Sequence, residues 1–173
     1  MDGRRTDAAP GRPWGLAGLV AGAVIGLDQA LKAVVRDGVQ VGERRDLVAF
    51  VDLVHVRNRG VAFSALEGQT RLVVVVIAVA LGALLWYFAR NARRPLMWLP
   101  TGLLFGGAIG NLVDRIRLGA VTDFLKLPSW PAFNIADMAI TVGVVGLLVV
   151  VERNERADRR RQEGRADAAA RGT

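Results

Sequence analysis

The 173-residue chain contains no cysteine and a single histidine, His55. Without cysteine there is no disulfide framework, no thiolate nucleophile or metal ligand, and no thiol for lipidation of the chain itself. One histidine excludes a His-cluster metal site and a multi-histidine relay. Serine is confined to Ser64 and Ser129, so hydroxyl nucleophiles are scarce. Aromatic residues make up 6% of the chain, too few for the stacking surface of a nucleic-acid reader. Lysine occurs only at Lys32 and Lys126 beside a large excess of arginine, an imbalance that reflects genomic base composition and not function. Apolar residues are abundant instead: 52% of the chain is hydrophobic, mean hydropathy is +0.31 and the formal net charge is +7. A span of the bilayer needs ~20 apolar residues, so this length accommodates several spans with modest loops and no large soluble domain.

An unpaired charge in hydrocarbon costs on the order of ~3 kcal/mol, so charge-poor runs locate the spans. Four are present. The first is uncharged from Pro13 to Leu27 and reaches Val35 if Asp28 and Lys32 are accommodated. The second, Leu72 to Ala89, is closed by the aromatic cluster Trp86, Tyr87 and Phe88. The third is Pro95 to Val113. The fourth lies within Leu127 to Val151, broken only by Asp137, with its helix beginning near Asn134. The first run follows Arg4, Arg5 and Arg12 like a signal peptide, but it is too long and lacks a small-residue cleavage site, so it reads as a retained helix.

Basic residues orient these spans. The N-terminal tail, the Arg90 to Arg94 segment and the tail after Val151 hold thirteen of the 23 basic residues, whereas the opposite side has nine of the 16 acids and is nearly neutral. Both termini are therefore expected in the cytoplasm. The expected fold class is an integral membrane all-α protein: four transmembrane helices with a small extracytoplasmic β-rich element between helices 1 and 2. Residues 1–13 form a cytoplasmic basic tail and 14–151 one membrane domain. Residues 152–173 form a charged cytoplasmic tail expected to continue the last helix briefly and then be disordered. Within the insert at about 37–70, the β-branched stretch Leu47 to Val56 and the turn signal Asn58-Arg59-Gly60 predict a strand or hairpin on the membrane surface. Gly18, Gly22 and Gly26, and Gly102, Gly106 and Gly110, recur every four residues, the pattern of helix faces that approach closely in a compact bundle.

Within or at the ends of the spans sit Asp28, Lys32, Asn111, Asp114, Arg115, Asn134 and Asp137, with Asp123 in the loop joining spans three and four. The topology gathers them at one leaflet, and ionisable residues there point to a functional site. Bland roles stand beside the functional ones. Asp28 and Lys32, four apart, can form an ion pair within one helix; Asp114 and Arg115 can form an interfacial pair; Asn111 can bond between helices. Asp137 has no base within a helical turn, and Asp123 sits in the apolar run Val-Thr-Asp-Phe-Leu. Two acids meeting at the lipid boundary cannot both ionise easily, so one keeps a proton while the other deprotonates water. Pairing Ser64 with Lys32 or with His55 is a nucleophile alternative that no motif supports.

Two rival functions use the same acids: proton-coupled transport, and a non-catalytic assembly role in which they hold helices together. Transport needs ionisable groups along a path across the bilayer, yet the second span has none. An assembly role needs no paired acids at the water boundary. No metal or other cofactor is called for, since the acids lack His or Cys companions. Membrane lipids are the expected surroundings, with the basic tails favouring anionic head groups; no nucleic-acid partner is implied, and the chain is expected to act as a monomer.

The same residues carry a resemblance. The blocks Asp28-Gln29 with Lys32; Asn58-Arg59-Gly60-Val61-Ala62-Phe63-Ser64; Gly106 to Arg115 followed by Val121-Thr122-Asp123-Phe124; and Phe133-Asn134-Ile135-Ala136-Asp137 resemble those of the lipoprotein signal peptidases, or signal peptidase II, the bacterial membrane aspartic peptidases. The likeness covers about Leu27 to Leu147. It implies a multi-pass enzyme of the bacterial inner membrane, with its active site near the extracytoplasmic face. Such an enzyme removes signal peptides from diacylglyceryl-modified prolipoproteins by cutting before the lipidated cysteine. By the same likeness Asp123 and Asp137 form the catalytic pair. Asp28, Lys32, Asn58, Gly60, Asn111, Asp114, Arg115 and Asn134 support substrate and dyad. Arg59 and Val61 depart from the smaller residues usual in their block, and Met138 from a common hydroxyl residue.

Overall fold

The protein is described by a computed structural model covering residues 11–59 and 70–171. Gly60, Val61, Ala62, Phe63 and Ser64 lie outside the described residues. In chain order the elements are α1 (Arg12–Gly38), β1 (Arg44–Val48), β2 (Val51–Asn58), α2 (Thr70–Asn91), α3 (Trp98–Leu118), β3 (Val121–Lys126) and α4 (Ile135–Arg171).

Each expected span coincides with a helix. Proline in the first turn of α1 sits where a helix N–H has no intrahelical partner, so its missing donor costs little. α3 stops at Gly119, whose φ of 69° is the left-handed conformation that a glycine cap supplies, its N–H bonding Arg115 O at 3.1 Å. α1, α2 and α4 are long and apolar enough to cross a membrane. α3 has 21 residues, about 30 Å at ~1.5 Å per residue, but its glycines and terminal charges dilute its apolar character. It packs between α1 and α4, and its glycines, Asp114 and Arg115 are buried there, while Arg117 stays exposed near its end.

Apolar side chains are distributed as a bilayer demands, with Leu19, Val79 and Leu148 each about two-thirds exposed on the outside. One buried cluster, Ala17, Phe88, Ala92 and Met97, closes the end where α1 begins, with Trp14 edge-on to Phe88 at 4.7 Å. A second, Val35, Val39 and Phe124, seals α1 against β3 near the other end.

The third-helix glycine ladder is a contact face. A Cβ on Gly102 would lie 2.7 Å from Ala17 O, and one on Gly106 would lie 2.7 Å from Val24 Cβ. The first-helix ladder is not: Gly18, Gly22 and Gly26 have nothing within 4 Å of an added Cβ. α1 meets α3 through its Ala17, Val20, Ala21 and Val24 side instead.

The strands form one antiparallel sheet in the order β1-β2-β3. A hairpin lies in the insert, but its turn is at Ala49–Phe50, inside the stretch expected as strand, and Asn58 still belongs to β2. The third strand is a further correction, because Asp123 was expected in a loop and β-structure only between the first two helices. All four residues from Val121 to Phe124 are buried, so the strand shows no alternation of polar and apolar residues by which it could be recognised. The tail is another correction, because α4 continues as helix to Arg171. Residues of high helix propensity extend an already nucleated helix, aided by the Glu152–Arg156 pair at 2.5 Å and by Arg94–Asp158 at 3.4 Å.

Candidate active site

Asp123 reaches its place through β-pairing. It lies opposite Val56 in the β2–β3 ladder, with Asn58 opposite Val121, so Asn58 and Asp123 are diagonal neighbours on one face. Asn58 Nδ2 donates to Asp123 Oδ2 at 3.0 Å. The chain then turns back: Phe133 exchanges backbone hydrogen bonds with Leu125 at 2.9 Å in each direction. That return delivers Asn134 beside Asp123 at the start of α4.

Asn134 and Asp137 cap that helix reciprocally. The Asp137 N–H donates to Asn134 Oδ1 at 2.9 Å, and the Asn134 N–H donates to Asp137 Oδ2 at 3.2 Å. The second acid is thus fixed by the helix-start geometry, its carboxylate accepting the Asn134 N–H at the N-terminal end of α4. The same Asn134 donates through Nδ2 to Asp123 Oδ1 at 2.7 Å. Asn134 therefore touches both carboxyl groups, that of Asp123 with its side-chain amide and that of Asp137 with its backbone N–H.

Asn111, on α3, adds a donor from the other side, its Nδ2 lying 2.7 Å from Asp137 Oδ1. Its own Oδ1 accepts from Lys32 Nζ at 2.9 Å and from Asn134 Nδ2 at 3.1 Å. Lys32 is fully buried and also pairs with Asp28 at 2.8 Å and Asp114 at 3.3 Å. Asp28 in turn accepts the Ala136 N–H at 3.0 Å, tying α1 to the first turn of α4. Asp114 does not serve as a surface partner for its neighbour Arg115. It is buried, receives the Thr122 N–H at 2.9 Å and Gln29 Nε2 at 3.1 Å, and lies 3.7 Å from Arg36. Arg115 donates to Asn111 O at 3.3 Å.

Both acids open onto one cavity of ≈450 Å³. Its polar wall holds Asn58, Asn111, Arg115, Asp123 and Asp137; its apolar walls come from Ile77 of α2, Ala108 of α3, Ile140 of α4 and the Trp130–Phe133 turn. Asp123 is almost wholly buried. That burial, and next the negative charge of Asp137, push its carboxyl up to about 7, against the opposing hydrogen bonds from Asn58 and Asn134. Asp123 therefore holds its proton at a pH where an ordinary aspartate has lost it.

Every site residue expected from the sequence is thus brought to one place, Gly60 excepted, which lies outside the described residues. Asn58, Asn111, Arg115, Asp123 and Asp137 face the cavity, whereas Asn134, Asp28, Lys32 and Asp114 stand behind them. Three contributors were not among the expected site residues, although Gln29 stood in the Asp28-Gln29 block. Gln29 joins α1 to α3 through Asp114 and Gly110 O; Arg36 falls on the helix face of Asp28 and Lys32 at spacing i, i+4, i+8; and Ile77 comes from an otherwise featureless apolar span. The first two were legible in helical spacing. The third was not.

The sequence pattern of the family described as Signal peptidase (SPase) II matches residues 20–152 of this chain. A lipoprotein signal peptidase of Halothermothrix orenii is 39% identical over 134 residues, 77% of this chain and 92% of that protein. One from Azoarcus sp. is 45% identical over 139 residues, 76% of this chain and 78% of that protein. A solved bacterial membrane enzyme, determined by the in meso method at 2.3 Å resolution, superposes with a TM-score of 0.77 at 30% identity, covering 82% of this chain and 90% of the other. A second, at 1.9 Å resolution, gives 0.73 at 31% identity, covering 79% and 92%.

Proposed function

The chain belongs to the signal peptidase II family, and from that premise we propose that it is an aspartic endopeptidase of the bacterial inner membrane. It removes signal peptides from diacylglyceryl-modified prolipoproteins, cutting just before the lipidated cysteine. The observation that carries this reading is the placement of Asp123 and Asp137, from different elements, on one cavity and bridged by Asn134.

Asp123 begins as the acid and Asp137 as the base. The Asp137 carboxylate takes a proton from water, whose oxygen adds to the scissile carbonyl carbon, while Asp123 gives its proton to the carbonyl oxygen. In the tetrahedral intermediate the dyad has exchanged roles. Asp137 then protonates the leaving amide nitrogen, Asp123 takes back a hydroxyl proton and the C–N bond breaks. The products are the carboxyl-terminated signal peptide and the free amine of the lipidated cysteine; one water is consumed. Asn58, Asn111 and Asn134 suit this chemistry because amides orient carboxyl groups without competing for the shared proton.

Four spans with both termini in the cytoplasm follow if α3 crosses the bilayer alongside α1, α2 and α4. That arrangement sets the dyad at the extracytoplasmic face, where a secreted precursor arrives. The apolar walls between helices then receive the diacylglyceryl chains, each buried methylene contributing ~0.8 kcal/mol.

The test is incubation of the purified protein with a diacylglyceryl-modified precursor peptide and with its unlipidated twin, followed by mass spectrometry. The expected result is a single cut before the modified cysteine, with strong preference for the lipidated peptide. A cut elsewhere, or none, contradicts the assigned reaction; equal turnover of the two peptides contradicts the role of the lipid.

A further inference from the structure

We propose that Lys32 is a positioning residue for the dyad, acting through the side-chain amide of Asn111. The inference deepens the aspartic-peptidase reading and rests on it. Lys32 has no exposed surface and is absent from the cavity wall, so it does not touch substrate. Its ammonium has three protons and no acceptor, and three oxygens surround it: Asp28 Oδ2 at 2.8 Å, Asn111 Oδ1 at 2.9 Å and Asp114 Oδ2 at 3.3 Å.

The consequence lies at Asn111. An amide presents an acceptor at one end and donors at the other, and a half-turn about its last bond exchanges them. Facing Lys32 Nζ and Asn134 Nδ2, both donors, the Asn111 end must be oxygen. Its NH₂ end is thereby aimed at Asp137 Oδ1, 2.7 Å away. With the amide reversed, NH₂ would face an ammonium and another NH₂, while its oxygen would face the carboxylate that must accept a proton from water. Lys32 makes that reversed state untenable and so keeps Asp137 supplied with a donor. Its charge also offsets Asp28 and Asp114, a structural role that the test has to separate from positioning.

Steady-state cleavage of a diacylglyceryl-modified precursor peptide by the full chain in detergent separates them, with thermal unfolding followed on the same samples. Lys32→Met strands Asp28 and leaves Asp114 only the Arg36 guanidinium, so it is paired with Lys32→Met/Asp28→Asn, which removes the Asp28 charge along with the ammonium. The expected result for the double variant is recovered thermal stability and near wild-type KM, with kcat lower by roughly 100-fold. Asn111→Asp gives the ammonium an anionic partner but no donor for Asp137, and is expected to lose kcat by a similar factor at unchanged KM. Wild-type kcat in either of these variants overturns the proposal and leaves Lys32 as a charge partner only. If the double variant fails to fold, Asn111→Asp decides between positioning and charge pairing by the same two outcomes. The wild-type chain is assayed in parallel: if it does not cut before the modified cysteine, the peptidase reading fails, whereas wild-type cutting with unaffected variants counts against Lys32 alone.

Discussion

At the scale of single residues, the site is a chain of amides whose orientations are fixed in turn. Asn134 is held by a backbone N–H, Asn111 by an ammonium, and both pass donors to the acids. The carboxyl of Asp123 answers to its surroundings more than to its chemistry: desolvation moves it to about 7 from a usual 3.8. The sign of the resulting pH dependence follows. In the proposed mechanism Asp123 enters the reaction protonated; its burial favours the neutral form, and it loses that proton as pH rises through about 7. The rate of lipidated-precursor cleavage should therefore be sustained at neutral pH and fall about tenfold per pH unit once the medium is well above it. Initial rates across a pH series, with unfolding monitored at each point, check this. A rate that keeps climbing through the alkaline range would give the proton-donating role to another group.

At the scale of elements, α3 is the organiser. Its glycine face lets α1 approach until backbone and side chains touch, and Gly107 lies against Ala136 and Ile140 of α4. The same helix then carries Asn111, Asp114 and Arg115 into the gathering point of three elements. Its amino-acid content falls short of an independent span because its polar groups are addressed to protein and not to lipid. We expect α3 to cross the bilayer nonetheless: a topology reporter joined after Arg94 and one joined after Thr173 should both read cytoplasm. A reporter in the β1–β2 hairpin at Phe50 should read the exterior. A cytoplasmic reading after Arg94 with an exterior reading after Thr173 would mean that α3 and α4 do not both cross.

Much of this was legible in the sequence, because charge-free runs of span length have one physical solution and the acids interrupting them had to be sheltered. Helix starts fell close to the expected positions, as did the ends of α1 and α2, whereas α3 runs past Val113 to Leu118 and α4 past Val151 to Arg171. The capping of α4 was written as Asn134 and Asp137 three apart, yet that the cap holds the Asp137 carboxyl on the cavity shared with Asp123 is visible only in three dimensions. β3 was illegible because strand periodicity comes from having one wet face, and Val121 to Phe124 have none. The outward direction of Gly18, Gly22 and Gly26 was equally hidden, since a spacing of four defines a stripe and not what it faces.

At the scale of the whole molecule, the architecture inverts a soluble protein, with apolar side chains outside and the densest polar network inside one end. Asp28, Lys32, Asn111, Asp114, Asp123 and Asn134 are all nearly or wholly buried, each with a partner at hydrogen-bonding or ion-pairing distance. Such a network costs stability unless it is complete, and its completion joins α1, α3, β3 and α4 around two carboxyl groups that open on an apolar-walled cavity. The central claim is that these two groups work as one acid–base unit. Its most direct measurement is single-turnover cleavage of a lipidated precursor by the wild-type chain, Asp123→Asn, Asp137→Asn and the double variant, with substrate binding recorded for each. We predict that each single variant binds substrate but slows by roughly a thousandfold, and that the double variant is at most a few-fold slower still. A folded single Asn variant turning over near the wild-type rate would contradict the claim and move the chemistry to other residues.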